Sequence, residues 1–396
     1  MTDLKSAIKD VLPDAIRIRH DLHAHPELGY AEHRTSQVVQ RELTSCSIEF
    51  RAGLAGGTGV LAYLPATQPD GQVIAMRADM DALPIEEQTG LSYASETPGT
   101  MHACGHDGHT AILLTAAKVL AKTENRPNDV LFIFQPAEEG GGGGKRMCAE
   151  GALNGTLLGR SADVIFGLHG DPRHHSGDVS TRVGTLMASA SEFSIRVVGK
   201  GTHAAMPHLG IDPILISAHI VTAMQSIVAR NVDPMDSVVV TVGVITAGVA
   251  HNVIPEYATM RGTLRTLSGA MKTYAMAQVE QIAKGVALSF GGTATVEWHM
   301  DYPPTVNHEA PTEYFRRLAQ NVLGKEHVHN ESTPTMGAED FSFYGHHIPA
   351  CFFWLGLMPA DEQTYANLHA PTFDFNDDSI PVGVQIFCEL ALAPVR

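Results

Sequence analysis

The sequence predicts an α/β protein of two domains, in which a central, mostly parallel sheet is interrupted by a smaller inserted unit. Three observations predict it. Short apolar runs end abruptly in polar residues: 73–76 runs into Arg77-Ala78-Asp79, 130–134 into Gln135-Pro136-Ala137-Glu138-Glu139, and 164–166 leads to Leu168-His169. Helical periodicity sits between these runs, at about residues 4–24, 31–45 and 106–122. From about Gly184 the pattern changes to strand 191–198, helix 212–230, strands 237–245 and 256–264, helix 269–289 and strand 294–299. That β-α-β-β-α-β order is the split βαβ arrangement of a ferredoxin-like domain.

Each element then has a place. The apolar runs are buried strands, and in open α/β sheets the ligand crevice lies beyond the carboxyl ends of the strands, so their polar tips converge on one site. An insertion over 184–299 leaves 1–183 and 300–396 as one discontinuous domain, which resumes with a helix near 312–323, a strand at 350–355 and a closing helix near 379–393. A chain of 396 residues is too long for one ordinary core, and its 44% hydrophobic content suffices to fill two. The five glycines from Gly140 to Gly144 imply close backbone approach or mobility. They are not a phosphate loop, because the Lys145-Arg146 that follows lacks the Ser or Thr of that motif.

Composition removes several functions. A net charge of −16, from 43 acidic against 27 basic residues, argues against nucleic acid or an anionic membrane as a partner. The five cysteines (Cys46, Cys104, Cys148, Cys351, Cys388) are odd in number and widely spaced, which argues against a disulfide framework and for a reducing compartment. The first thirty or so residues hold no apolar signal core, and no stretch reaches the length expected of a bilayer span. The expectation is a soluble cytoplasmic protein.

The chemistry concentrates in residues 101–110. There a thiol, three imidazoles and a carboxylate (Cys104, His102, His106, His109, Asp107) stand just before the apolar helical run 111–120. A buried helix cannot keep so many polar groups dry at its entrance unless something organises them, and a bound metal would do so. Thiolate and neutral imidazole are ligands that zinc and its neighbours prefer, while Cys104 and His106 are too close for a structural finger. Further candidates recur at strand ends: Asp79, Asp81, Glu138, Glu139, His169 and His369. Side chains alternate in an extended segment, so one of the adjacent Glu138 and Glu139 can face metals while the other addresses a water. Taken alone, each of these groups reads as a cap or a solvated surface residue; the clustering reverses that reading.

These segments resemble the M20 metallopeptidase family, in its amidohydrolase branch of hippurate hydrolases, N-acyl-amino-acid amidohydrolases and auxin-conjugate hydrolases. The matching stretches are Asp21-Leu22-His23-Ala24-His25-Pro26-Glu27-Leu28-Gly29, Arg77-Ala78-Asp79-Met80-Asp81-Ala82-Leu83-Pro84, the Cys104 segment and Gln135-Pro136-Ala137-Glu138-Glu139-Gly140. They continue with Gly199-Lys200-Gly201-Thr202-His203-Ala204-Ala205-Met206-Pro207, His251-Asn252-Val253-Ile254-Pro255, Met336-Gly337-Ala338-Glu339-Asp340-Phe341 and Leu368-His369-Ala370-Pro371-Thr372-Phe373-Asp374.

The resemblance implies a zinc-peptidase-like catalytic domain with an inserted dimerisation domain. It implies two divalent ions held by Cys104, His106, Glu139, His169 and His369, with Glu138 as general base and Asp81 behind the ligands, orienting one of them. Zinc is favoured by the Cys ligand, with manganese, cobalt or nickel admissible. By the same resemblance His203 reaches the partner subunit's active site to polarise the scissile carbonyl, and Asn252 and Arg265 hold the substrate carboxylate. The assembly implied is a homodimer or a higher homo-oligomer. Where other branches of the family place a metal-binding His two residues before Asp81, this chain has Asp79, which bears on the second metal position. His102 and His109 stay open as ligands, and His23 and His25 read as packing and capping of the first helix.

The implied activity is hydrolysis of the amide of an N-acylated amino acid to a free amino acid and a carboxylic acid. A dipeptidase or carboxypeptidase of the same family is the nearest alternative. A thiol hydrolase with Cys104 as nucleophile and a non-catalytic binding relative are the rivals of other classes.

Overall fold

A computed structural model describes residues 4–68 and 71–393. The chain divides into two compact units: Met1–Leu186 with Val306–Thr333 and Asp340–Arg396, and Met187–Thr305 with Pro334–Glu339.

The first unit is built on an eight-stranded mixed sheet. From edge to edge its strands are Glu49–Leu54, Gly59–Leu64, Asp129–Gln135, Val73–Asp79, Val164–His175, Ala350–Met358, Val179–Thr181 and Val328–Asn330. The four central strands are mutually parallel, as is the outermost pair. The remaining pairs are antiparallel. Every residue of Val73–Asp79 and Asp129–Gln135 is buried, as the unbroken apolar runs require of strands covered on both faces. Both strands continue past those runs into polar tips, which pair Asp79 with Gln135 at their carboxyl ends.

Helix His106–Ala121 is buried from His106 through Leu120, and it packs between Leu4–Ala24 and Ile380–Leu392. A residue such as Leu114, buried among these elements, would cost about 2–5 kcal/mol to truncate to Ala. Such packing gives the residues at the helix start a rigid base.

The second unit has the expected split βαβ order. Its sheet runs Val238–Ala247, Tyr257–Thr266, Ser189–Val198, Thr293–Tyr302, with every neighbour antiparallel. Helix Pro213–Ser226 begins with Asp212 Oδ1 accepting from Ile214 N (2.8 Å), and Gly269–Ser289 with Ser268 Oγ accepting from Met271 N (3.1 Å). Ile216, Ile220 and Met224 of the first helix, and Ala275, Val279 and Ala283 of the second, close the core over Phe193, Ile195 and Met260.

Two expectations need correction. The expected limits of the insertion, 184 and 299, fall short at the far end. Strand Thr293–Tyr302 stays paired through Asp301↔Ser191 and Tyr302↔Ala190, and residues 334–339 return to the second unit because Ala188 N donates to Thr335 O (3.0 Å) and Gly337 O (2.9 Å). Secondly, the stretch Pro213–Asn231 is long and apolar enough to cross a membrane by length and composition. It lies on a sheet instead, with Ile216, Ile220, Met224 and Ile227 in the second unit's core.

Candidate metal centre

The strand tips of the first unit bring together the groups its sequence marked. Cys104 and His106 flank Gly105, whose φ of +85° is a left-handed turn that delivers them to the start of the buried helix. His169 follows on Val164–His175, and its Nε2 lies 3.3 Å from Cys104 Sγ. Its Nδ1 is directed at Gly170 O (2.8 Å), which leaves Nε2 as the nitrogen that could take a metal. His369 comes from a loop at φ +65° and is held by His369 N donating to Ala103 O (2.8 Å). Its Nε2 lies 3.1 Å from Glu139 Oε1.

Asp81 organises the adjacent glutamates. Its Oδ1 accepts from Glu138 N and its Oδ2 from Glu139 N, each at 3.0 Å. Both amides face one carboxylate because Ala137, at φ +51°, turns the chain just after the strand. Asp81 also meets His106, whose Nδ1 lies 2.8 Å from Asp81 O and 3.3 Å from Oδ1. One aspartate therefore fixes two carboxylates and an imidazole.

Besides Asp79, His106 and His109, three overlapping donor sets lie here: Cys104, His106 and His169; Cys104, Glu139 and His369; His106, Glu138 and Glu139. Within each set the ligand atoms lie within 4.8 Å of one another. Cys104, His106 and Glu139 each belong to two of these three sets, so the sets describe adjoining sites rather than one. His106 Nε2 is buried and without a hydrogen-bond partner. A soft thiol, imidazoles and carboxylates converging on an orphaned nitrogen fit divalent metal of the zinc class.

The electrostatics point the same way. Burial disfavours charge on His106, but Asp79 and Asp81 outweigh it and hold the ring's pKa up at about 10. Burial, then Glu139, Glu138 and Asp79, push the Cys104 thiol well above its usual range. Burial would raise Glu139, yet its contacts with His369 and His106 bring it below the ordinary carboxylate value. Without a cation the thiol stays protonated, which is the wrong state for a nucleophile and removes support from a thiol hydrolase.

Other marked groups sort by their partners. His109 directs Nδ1 at Asp79 Oδ1 (2.7 Å), and its Nε2 accepts from Gly170 N (2.9 Å), so neither nitrogen is free for metal. His102 has two buried nitrogens without a hydrogen-bond partner, and burial pushes its pKa down to about 4. His23 is buried against Asp107 (2.8 Å), and His25 turns back to Asp21 O (2.9 Å). Asp79 receives Arg77 Nη1 (2.6 Å), and burial, which opposes its charge, is overcome by His106, Arg77 and His109.

Sequence reading gave no role to the next layer. Arg77, fully buried, also donates to Gln135 Oε1 (2.9 Å) and Asp340 Oδ1 (2.9 Å). Asp340 Oδ2 accepts from Gly144 N (2.8 Å), and Asp340 N donates to Glu138 Oε1 (3.3 Å). Glu32 accepts from Ala137 N (2.8 Å) and Thr58 Oγ1 (2.7 Å), bracing the turn before the glutamates. Their signal was the presence of Arg77 and Asp340 inside the quoted motifs. The glycine run proves to be a close approach: a Cβ on Gly143 would lie 1.6 Å from Pro136 O, and one on Gly144 2.8 Å from Asp340 O.

His203, Asn252 and Arg265 belong to the second unit. His203 lies on Thr202–His203, paired with Val253–Ile254, and Ala204 N donates to Asn252 O (3.0 Å). His203 and Asn252 are exposed. Ala205 N donates to His203 Nδ1 (3.0 Å), so the neutral ring carries its proton on Nε2. Arg265 is half-buried on Tyr257–Thr266 and bonds Thr263 Oγ1; burial lowers its pKa.

Comparison with known proteins adds the context. The model of peptidase family M20/M25/M40 matches residues 75–393. An Arabidopsis thaliana protein described as IAA-amino acid hydrolase ILR1-like 2 is 39% identical over 381 residues, 95% of this chain and 84% of that one. N-acetylcysteine deacetylase of Bacillus subtilis is 38% identical over 95% of this chain and 96% of its own. Thermostable carboxypeptidase 1 of Saccharolobus solfataricus is 35% identical over 98% and 97%. Among solved structures, a dinuclear metal-binding M20 peptidase from Bacillus subtilis superposes with a TM-score of 0.81 at 35% identity, covering 97% of this chain and 98% of that one.

Proposed function

The chain belongs to the peptidase family M20/M25/M40 and is a metal-dependent amidohydrolase, and from that premise we propose that it hydrolyses the amide of N-acylated amino acids at a dinuclear centre. The observation that carries this reading is the set of three overlapping donor groups linked by Cys104, His106 and Glu139. In it Cys104, His106, Glu139, His169 and His369 would hold the ions. Bound there, divalent metal supplies Lewis acidity to water and to the scissile carbonyl, with zinc first by ligand type and manganese, cobalt or nickel next.

The protein's own groups do the rest. Glu138 takes the proton of the attacking water and delivers it to the leaving amine, steadied by Asp340 N on Oε1. Asp81 acts through its neighbours: it holds the glutamate backbone and keeps His106 Nε2 turned inward. His203, with its Nε2 proton, suits polarisation of the substrate carbonyl in a second subunit, and Asn252 and Arg265 suit the substrate carboxylate. The dimer would form through the second unit, whose edge strand Val238–Ala247 exposes Val239, Val244 and Ile245.

A carboxypeptidase reading is favoured by one observation, the likeness to a protein described as a carboxypeptidase. One experiment tests both readings. Stripped protein reloaded with zinc, manganese, cobalt or nickel is offered a panel of N-acyl amino acids and free-amine dipeptides, and released amino acid is measured. Turnover of the N-acyl set is expected; turnover of dipeptides alone would overturn the proposal.

A further inference from the structure

A second group of side chains of metal-ligating type lies toward the far edge of the first unit's sheet and shares no residue with the centre above. Strand Val164–His175 runs on past His169 and presents Asp171 and His174. Beyond Ala350–Met358 the short strand Val179–Thr181 carries Ser180, and the edge strand Val328–Asn330 leads to Glu331, which is tied back by Glu331 N donating to Thr181 O (3.0 Å). His174 Nε2 lies 2.8 Å from Glu331 Oε1, 3.2 Å from Ser180 Oγ and 3.7 Å from Asp171 Oδ2. The ligand atoms of Asp171, His174 and Glu331 all fall within 4.8 Å of one another.

We propose that Asp171, His174 and Glu331 form an auxiliary divalent-metal site that staples the edge strand to the sheet. Each of these atoms already has a hydrogen-bond partner, Asp171 through Arg173 and Glu331 Oε1 through the Ser180 hydroxyl (2.7 Å), but three oxygens gather about one imidazole nitrogen that carries at most a single proton. A cation satisfies all of them together. Ligands about 2.0–2.2 Å from one tetrahedral ion stand roughly 3–4 Å from each other, close to the separations here. Ser180 is fully buried and Asp171 nearly so, so two of the four groups have no ready access to bulk water.

Asp171 is not lost to its other partner. Arg173 grips it through Nε and Nη2, with Nη2 2.7 Å from Oδ2, but a carboxylate offers about four lone-pair positions and can bridge an arginine and an ion. One imidazole and two carboxylates, with positions left for water, suit zinc, manganese, cobalt or nickel better than calcium. His329 lies parallel to His174 with ring centroids 5.6 Å apart, and it joins His327 on Asp178, at 3.0 Å and 2.7 Å. Those contacts set the edge strand against the same corner. Because the edge strand pairs over only three residues, a metal crosslink at its end would add materially to its hold.

The test uses the intact enzyme and zinc alone. Crystals grown with micromolar free zinc are examined for anomalous scattering at the zinc edge, and a peak between Asp171, His174 and Glu331 is expected. No peak there overturns the proposal whatever the catalytic centre holds, and this measurement needs no variant. In parallel, stripped protein is dialysed against micromolar zinc and bound metal is counted by elemental analysis. Folded, active H174A and E331Q should each carry one ion fewer per chain than the unaltered protein, with turnover changed by less than about twofold. Metal content equal in all three proteins would mean that protons alone serve the corner, and would overturn the site.

Discussion

The two units present their candidate groups in opposite ways. In the first, the carboxylates and His106 are held by their own chain: Asp81 takes two backbone amides and meets His106, Asp340 reaches Glu138, and Glu32 braces the turn before them. In the second, His203 and Asn252 stand exposed, held by little beyond a two-residue strand pair. Preorganisation is extensive in one unit and slight in the other. The contrast teaches that the first unit fixes its candidate ligands from within, while the second leaves its candidate groups exposed and open to contacts from outside their own neighbourhood.

The harshest test of the first half is E138Q. If Glu138 moves the proton and does not bind metal, kcat should fall by about 10² to 10⁴ while elemental analysis finds metal content nearly unchanged. Near-normal kcat would reject the assignment. E139Q should part from it by losing metal as well as rate. Cys104→Ser sharpens the same point: loss of the soft ligand should weaken metal binding and tilt preference toward harder ions, whereas a thiol nucleophile would lose activity with its metal content intact.

A smaller effect is expected one layer out. D81N keeps the shape but presents an amide N–H to one of two backbone N–H groups, leaving a buried donor unsatisfied. A loss of about 10- to 100-fold in metal affinity or activity is expected, as is usual for groups behind a metal's ligands. A variant with unaltered affinity and kcat would show that the backbone turn at Ala137 and the brace from Glu32 hold the glutamates without it.

How much of this was legible in the sequence follows from distance along the chain. The element order was readable because long apolar periods report burial directly: helix 106–122 appears as His106–Ala121, and 269–289 as Gly269–Ser289. The candidate ligands were readable because each stands at the end of such an element or in a quoted motif. Glu32 was not, since its partner Ala137 lies 105 residues away and leaves no local pattern; Asp340 stood in a quoted motif, but its role was hidden because Glu138 lies 202 residues away. Strands Val179–Thr181 and Val328–Asn330 are too short to show a period at all, so the corner they form around His174 was invisible. The glycine run left two readings open, mobility or close approach, and only the positions of Pro136 and Asp340 decide between them.

The gentlest test, in size of effect, bears on the second unit. If His203 serves a neighbouring subunit's centre, H203A and E138Q should each be nearly inactive homodimers. Mixing them and allowing subunits to exchange creates hybrids in which one centre has Glu138 from its own chain and His203 from the other. Random pairing of equal amounts makes about half of the dimers mixed, and each has one working centre of two. Activity should then recover to about a quarter of the unaltered enzyme per subunit, provided the centres act independently. Labelled subunits verify the exchange by mass. Full exchange without recovery would return His203 to a role within its own chain, and the contrast between a self-sufficient unit and one that acts on its neighbour would fail with it. Recovery would explain why the neutral His203 ring is fixed with its proton on Nε2 while lying exposed: the hydrogen bond from Ala205 N sets the tautomer in advance, and the acceptor it awaits arrives with the second subunit.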